Sequence, residues 1–131
     1  MRTGADYREG LRDGRDVWVT GEGRVDDVTT HPATAAMVEE HAAWYDRHFD
    51  PDWQDLLLTG PDAAGGRRPL AFETPKTSAV LQRMGNALRA VLFRNGGNMT
   101  HTPGYGALIS LGLLNHLIGL NIPAEEIGAA R

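Results

Sequence analysis

The chain has 131 residues, with 13 Lys and Arg against 17 Asp and Glu and a formal net charge of -4. Such a length corresponds to one domain, and the acidic balance argues against a nucleic-acid-binding surface, which needs clustered Lys and Arg. The absence of cysteine excludes disulfides, zinc–thiolate sites and a cysteine nucleophile, and it indicates a cytoplasmic protein. The charged N-terminus is not typical of a signal peptide, and the apolar stretch 105–120 is shorter than the ~20 residues that cross a bilayer. We therefore expect no membrane span.

The first part of the chain predicts a short helix and then a β-hairpin. Thr3 is placed to cap a helix over 4–11. The hairpin is expected over 16–28, where DVWVT alternates as a strand and the turn Gly21-Glu22-Gly23 offers glycines for left-handed backbone. The pair Asp26-Asp27 is expected to face solvent at the end of the hairpin.

A longer helix is predicted over about 33–49, capped by Thr29 or Thr30 and started by Pro32. Its apolar residues recur at helical spacing and should form a buried stripe with four further side chains beside it. The stripe comprises Val38, Ala42, Tyr45 and Phe49, and the flanking residues are Met37, His41, Trp44 and His48.

Residues 52–75 carry Pro and Gly that break any period, so an irregular loop is predicted there. Trp53 and the run Leu56-Leu57-Leu58 should attach this loop to the core. A second long helix is expected over 77–95, capped by Thr77 or Ser78 and stopped by Asn95-Gly96-Gly97. Its predicted buried stripe comprises Leu81, Met84, Leu88, Val91 and Leu92.

The last predicted helix covers 103–120 and lies in a stretch between Arg94 and Glu125 that has no charged residue. Thr102 is placed to cap it and Pro103 to occupy its first position. His101 and Tyr105 then lie at the helix N-terminus, where backbone N–H groups and the helix dipole favour an anion. The histidine could also accept a proton near neutral pH. Spacing alone leaves a structural cap and a core aromatic as an equal interpretation.

This charge-free helix is expected to pack as an antiparallel pair with the helix over 77–95. Because it is apolar on all faces, it must be covered all round. The missing neighbour could be a partner chain, a second copy or a continuation of the gene. Alternatively, the loop 52–75 could fold over it.

Other constellations do not predict a site. His41 and His48 lie two turns apart, which is not the spacing with which one helix chelates a metal, so no metal site is expected. Gly21-Glu22-Gly23 lacks the third glycine and the following helix of a dinucleotide fingerprint. Ser110 has no nucleophile-elbow context. His31 is interpreted as a loop or cap residue and His116 as a hydrogen-bonded core histidine.

The segment TGADYREGLRDGRDVWVTGEGRVDDVTTHPA (3–33) resembles the start of the 4-hydroxyphenylacetate 3-monooxygenase oxygenase family. The segment Met99 to Tyr105 falls where that family has a Met-Gly-Arg-Thr-Pro-Asp-Tyr motif. Tyr105 matches the tyrosine, whereas Thr100, His101 and Gly104 stand in place of the glycine, the arginine and the aspartate. Further matching residues are Thr3, Gly4, Tyr7, Asp13-Gly14-Arg15, Asp27 to Ala33 and Tyr45-Asp46.

The resemblance implies a mainly α fold with one small N-terminal hairpin, like the N-terminal domain of the acyl-CoA-dehydrogenase-like two-component flavin monooxygenases. Such enzymes use reduced FAD from a separate flavin reductase, together with O2, to hydroxylate a small aromatic substrate ortho to its phenolic hydroxyl. The residues implied for the site are His101 and Tyr105 as catalytic groups, with Thr102 beside them for substrate binding. An imidazole in place of an arginine removes a bidentate charged donor.

Two hypotheses for function follow. In the first, the whole chain, 1–131, is a single N-terminal substrate-pocket domain. It would need the family's β-barrel and C-terminal helical bundle, which are absent here, from a partner chain or missing domains, or it would act as a homo-oligomer. In the second, it is a freestanding small helical binding or accessory protein, or a flavin-independent catalyst, derived from that domain.

Overall fold

The computed structural model describes residues 1–97, 104–106, 109–110 and 112–113. Its elements are α1 (Gly4–Gly10), β1 (Val17–Val19), β2 (Gly23–Val25), α2 (Ala35–Arg47), α3 (Pro51–Leu57), a 3-10 turn (Leu70–Phe72) and α4 (Ser78–Arg94). The mainly helical class with one small hairpin is thereby confirmed. None of the helices in these ranges is long and apolar enough to cross a membrane.

Helix α1 begins with a capping box. The Thr3 hydroxyl accepts a hydrogen bond from the Asp6 N–H (3.1 Å), and the Asp6 carboxylate accepts one from the Thr3 N–H (2.9 Å). This reciprocal pair satisfies two N–H groups that have no partner inside the helix. The Gly4 N–H donates to Asp46 of α2 at 2.7 Å. The predicted cap is confirmed. The hydrogen bond from Gly4 to Asp46 attaches α1 to α2.

The two hairpin strands pair antiparallel, with Val17 opposite Val25 and Val19 opposite Gly23. Gly23 therefore belongs to β2 and not to the turn in which it was predicted. Gly21 and Gly23 both have positive φ, 85° and 97°, which only glycine adopts without steric cost. Val25, at the end of β2, is buried.

A side-chain turn at Asp27 follows the hairpin. The Asp27 carboxylate accepts hydrogen bonds from the Thr29 N–H (2.7 Å) and hydroxyl (2.6 Å), and Arg12 reaches its other oxygen at 3.3 Å. The Thr29 hydroxyl lowers the pKa of Asp27. Asp26 is exposed as predicted, with 96% of its side chain accessible, whereas the Asp27 side chain, 34% exposed, is held in this turn. Thr29 and Thr30 belong to this turn and do not cap the next helix, contrary to prediction.

Helix α2 begins at Ala35, later than the position 33 expected from Pro32. Thr34 takes the N-cap position, but its hydroxyl donates to the Val28 carbonyl at 2.7 Å. Side chains that bond to nearby backbone offer the chain an alternative to a helix. Thr34 makes such a bond in this protein, and α2 begins only after it, at Ala35.

The buried face of α2 differs from the predicted stripe. Val38 and Ala42 are buried as expected, but Phe49 is 44% exposed, while Trp44 and His48 are 5% and 2% exposed. Helix α2 ends at Arg47, so position 49 no longer continues the helical face. Trp44 and His48, which were predicted only to flank the stripe, are thus part of the buried face, whereas Met37 is 38% exposed.

Helix α3 was not predicted, because Pro51 was interpreted only as the end of the preceding helix. The Asp50 carboxylate accepts a hydrogen bond from the Asp52 N–H at 3.0 Å, and Pro51 occupies the first turn. An N-cap acid followed by Pro is a helix-start signal. Leu57 and Leu58, at the end of α3, are buried as expected.

Helix α4 is capped by Thr77, whose hydroxyl accepts from the Val80 N–H at 3.3 Å. Leu81 was predicted in the buried stripe but is 57% exposed, since no described residue covers the first turn on that side. Six residues from α2, α3, the 3-10 turn and α4 make the core: Trp44, Leu57, Leu70, Met84, Ala87 and Val91.

Candidate functional site

Only one of the predicted site residues can be placed. His101 and Thr102 lie outside the described residues. Tyr105 is half-buried and helical, and Gly104 before it lies in a turn with φ +86°. A left-handed residue interrupts an α-helix, so the predicted helix start at Pro103 is wrong.

Gly104 lies directly on the core. A Cβ atom at this position would be 3.2 Å from the Ala71 Cβ and 3.6 Å from Cζ2 of Trp44. Glycine therefore suits the position twice, through its positive φ and through this close approach. An aspartate, which the resemblance places here, would be strained.

A cavity of about 40 Å³ lies where Gly104 meets the core. Its walls come from α2, the end of α3, the 3-10 turn and α4, and they are almost entirely apolar. The lining residues are Trp44, His48, Leu57, Leu70, Ala71, Met84, Ala87, Leu88, Val91 and Gly104.

His48 supplies the polar side chain of this cavity. Its Nδ1 lies 3.3 Å from the Tyr45 carbonyl oxygen, and its ring meets the Trp44 ring edge-on at 4.4 Å. Nε2 is buried and has no hydrogen-bond partner among the residues that the structure describes. Burial lowers the pKa of His48, because desolvation disfavours the charged imidazolium. From the sequence, His48 was predicted only to flank the buried stripe of α2. Its spacing of four residues from Trp44 was a signal that the two side chains share one face of the helix.

A second aromatic cluster joins α1 to α2. The Tyr7 ring lies 5.2 Å from that of Tyr45 and 5.9 Å from that of His41. The Arg2 guanidinium covers both tyrosine rings, at 5.4 and 5.8 Å. Burial raises the pKa of Tyr7. These contacts explain the cluster as an attachment between two helices.

The part of the chain that the structure describes has no cluster of metal-ligating side chains. It contains no group of three or more His, Asp or Glu side chains that could hold an ion. His41 instead bonds through Nδ1 to the Met37 carbonyl at 3.0 Å. His31 accepts from the Ala33 N–H at 3.3 Å, which confirms its interpretation as a loop residue.

Two of the helical residues described after Gly104 expose apolar side chains. Ile109 is 52% and Leu113 57% exposed. The alternative that loop 52–75 folds over this helix does not hold for these two side chains, although Ala71 of that segment lies against Gly104. The predicted pairing of 103–120 with 77–95 and the placement of His116 depend on residues outside the described ranges.

The chain is similar to known oxygenase components in both fold and sequence. The fold is that of the N-terminal part of solved oxygenase components. The oxygenase component HpaB of 4-hydroxyphenylacetate 3-monooxygenase complexed with FAD matches with a TM-score of 0.68 and 34% identity, over 80% of this chain and 22% of that one. A further structure of this oxygenase component gives 0.73 and 32%, over 85% and 23%. The family model described as 4-hydroxyphenylacetate 3-hydroxylase N terminal matches residues 3–121, and the chain belongs to this family.

Curated relatives agree. The oxygenase component of 4-nitrophenol 4-monooxygenase/4-nitrocatechol 2-monooxygenase from Rhodococcus opacus is 44% identical over 79% of this chain. The FADH(2)-dependent monooxygenase TftD from Burkholderia cepacia is 49% identical over 63% of the chain and 16% of its own length. The 4-hydroxyphenylacetate 3-monooxygenase oxygenase component from Thermus thermophilus is 37% identical over 79% and 21%. The chain spans 19% of the Rhodococcus relative, about a fifth of such proteins.

Proposed function

We propose that this chain forms the substrate-side helical part of a reduced-FAD-dependent monooxygenase that hydroxylates small phenols ortho to the hydroxyl. The observation that carries the proposal is the family match over residues 3–121. The names of the relatives, which include nitrophenol, trichlorophenol and 4-hydroxyphenylacetate monooxygenases, support a phenol as the substrate class. The same similarity favours this function over a freestanding binding or accessory protein.

The flavin does not fit into the cavity at Gly104. The cavity at Gly104 has a volume of about 40 Å³, far below the 300–1,000 Å³ or so of a pocket for a drug-sized ligand. The proposal therefore places FAD in the region by which the relatives exceed this chain, supplied by a partner chain or by further domains. A separate reductase in the cytoplasm would provide the reduced flavin.

The contribution of this chain would be to bind and polarise the phenolic oxygen. The Tyr105 hydroxyl would donate to that oxygen and stabilise the negative charge that develops there, which makes the ortho carbon more nucleophilic. His101 would add a second donor, with Thr102 beside it. The half-burial of Tyr105 suits this role, because a group shielded from water donates a stronger hydrogen bond.

The first experiment is an anaerobic titration of the chain with reduced FAD. We expect no tight binding to the chain alone. A chimera is then made in which residues 3–121 replace the matching N-terminal segment of the Rhodococcus relative. With reductase and O2, this chimera should hydroxylate 4-nitrophenol. A folded chimera that binds FAD but forms no hydroxylated product would refute the proposal.

Variants of the chimera test the assigned residues. Tyr105→Phe should lower kcat by about 10- to 100-fold, with a smaller change in KM, because its hydrogen bond strengthens in the transition state. His101→Ala should mainly raise KM. Tyr7→Phe is the matched control, since it removes another half-buried tyrosine hydroxyl but lies in the contact between α1 and α2. Equal losses in Tyr105→Phe and Tyr7→Phe would contradict the site.

A further inference from the structure

Two tyrosine rings meet where α1 lies on α2. The centroids of the Tyr7 and Tyr45 rings are 5.2 Å apart, and the ring planes are inclined by 32°. Both residues are half-buried, so the rings are held in the contact and still reach the surface. The chain has three tyrosines, and this contact therefore joins two of the three.

Polar contacts between the two helices hold the ring pair in place. The Gly4 N–H donates to the Asp46 carboxylate at 2.7 Å. The Arg8 guanidinium donates to both carboxylate oxygens of Glu39, at 2.8 and 2.6 Å. Tyr7 lies between these two attachments along α1. Groups that are held together in this way react with each other far more readily than the same groups on a flexible chain.

The phenol groups give this pair a chemistry that two phenylalanines would not have. A phenol that loses one electron and its hydroxyl proton becomes a neutral phenoxyl radical, whose unpaired electron is shared with the ring carbons ortho to the oxygen. Two neighbouring phenoxyls form a bond between these carbons, and the protons on the bonded carbons then move to the oxygens. The linked rings are twisted about the new bond, so the pair needs a short approach and a rotation.

The charge beside the pair is compatible with this reaction. The Arg2 guanidinium lies over both rings, at 5.4 Å from the Tyr7 centroid and 5.8 Å from the Tyr45 centroid. Because each phenol loses a proton together with its electron, the radicals are neutral and add no positive charge next to this guanidinium.

We propose that Tyr7 and Tyr45 form an oxidative modification site, at which one-electron oxidants join the two rings into an intramolecular dityrosine that ties α1 covalently to α2. The oxidant accepts two electrons, water accepts two protons, and one carbon–carbon bond replaces two carbon–hydrogen bonds. Radicals derived from hydrogen peroxide are oxidants of this class, and reduced flavins release peroxide when they react with O2. The site goes beyond the proposed function, because it needs neither a bound flavin nor a phenolic substrate.

The test uses the full chain in dilute solution, photo-oxidised by tris(bipyridine)ruthenium with persulfate as the electron acceptor. The monomer should lose two hydrogen atoms in mass and gain the blue emission of dityrosine. Trypsin cleaves after Lys and Arg, so Tyr7, Tyr45 and Tyr105 fall in the separate peptides 3–8, 25–47 and 95–131. We expect a cross-link between peptides 3–8 and 25–47.

Unfolding and two substitutions locate the reaction. In concentrated urea the yield of this peptide pair should fall at least about tenfold, because folding brings the rings together. Tyr7→Phe keeps the ring and should abolish the cross-link. Tyr105→Phe is the matched control and should leave its yield unchanged. The comparison with urea needs no variant, so the test does not depend on the folding of a substituted chain.

The cross-link should also change stability. It closes a loop between positions 7 and 45 and thereby restricts the unfolded chain, so the cross-linked monomer should unfold at a higher urea concentration than the unmodified chain.

Three results would overturn the proposal. The first is oxidation of the chain without a link between peptides 3–8 and 25–47. The second is an equal yield of that link in urea, and the third is dityrosine that occurs only between chains. None of these measurements involves oxygenase activity, so the chimera could still hydroxylate 4-nitrophenol if this proposal failed.

Discussion

Trp44 and His48 show how an imidazole ring is buried in this core. The edge-on contact of their rings removes the imidazole from water, and the Tyr45 carbonyl satisfies only one of its nitrogens. The unsatisfied nitrogen must reduce stability unless something binds to it. An apolar side chain of similar size would fill the same space without this loss of stability.

The burial of His48 leads to a prediction about pH. Its pKa is lowered in the folded chain, so the unfolded chain binds more protons between the lowered value and 6.5, and stability falls as pH drops through this window. The free energy of unfolding of the wild type should therefore fall more, between neutral pH and about pH 5.5, than that of His48→Gln.

Urea denaturation at the two pH values measures this difference. His41→Gln is the control, because it makes the same substitution on the same helix at a ring that stacks on Tyr7 outside the core cavity. Identical losses in the wild type and His48→Gln would mean that the imidazole titrates as in the unfolded chain.

At the level of elements, helix starts divide into two kinds. Thr3 and Thr77 cap α1 and α4 as the sequence predicts. Each hydroxyl accepts a hydrogen bond from a backbone N–H group in the first turn of the helix that follows it directly. The start of α2 could not be predicted in the same way. The Asp27 carboxylate accepts from the Thr29 N–H, and the Thr34 hydroxyl donates to the Val28 carbonyl. These bonds compete with helix formation, and the composition of the segment does not show which of the two forms.

The docking of α1 on α2 is also an element-level property, and it leads to a prediction about glycine. A Cβ at Gly4 would lie 2.6 Å from the Ala42 carbonyl oxygen, so Gly4→Ala must push the helices apart and should lower the free energy of unfolding by about 1–3 kcal/mol. Gly85→Ala should instead raise it by about 0.4–1 kcal/mol, since position 85 is helical and open and alanine restricts the unfolded chain.

Chemical denaturation of both variants gives the two signs. A Gly4→Ala variant as stable as the wild type would mean that α1 does not dock through this contact. The hydrogen bond from the Gly4 N–H to Asp46 would be lost with it, so hydrogen exchange at residue 4 provides an independent readout.

For the whole molecule, sequence patterns predicted the class and most helices but misassigned several faces. Phe49 and Leu81 have helical spacing with buried residues and are nevertheless exposed, and His48 is the reverse case. Spacing determines which residues share a face, whereas the neighbouring helices determine how far that face is covered. The candidate site depended on family resemblance for the same reason, since a tyrosine near a helix start has no distinctive pattern.

The exposed apolar side chains give a prediction for the molecule as a whole. Phe93 is 87% exposed on α4, whereas Met84 on the same helix is 6% exposed. Phe93→Ser should change the free energy of unfolding by no more than about 0.5 kcal/mol, while Met84→Ala should lower it by about 2–5 kcal/mol. A clear loss in Phe93→Ser that grows with protein concentration would instead mean that a second copy covers Phe93 in solution.

The tryptophans of the chain differ in a way that gives it an internal optical reporter. Trp44 is 5% exposed and in contact with the His48 ring, whereas Trp18 is 67% exposed on the hairpin. Emission from a buried indole lies to the blue of that from a hydrated one, and a protonated imidazole quenches it. In a Trp53→Phe variant, which removes the third and partly buried indole, the blue part of the fluorescence therefore reports on the charge and surroundings of one histidine, without any label being attached to the protein.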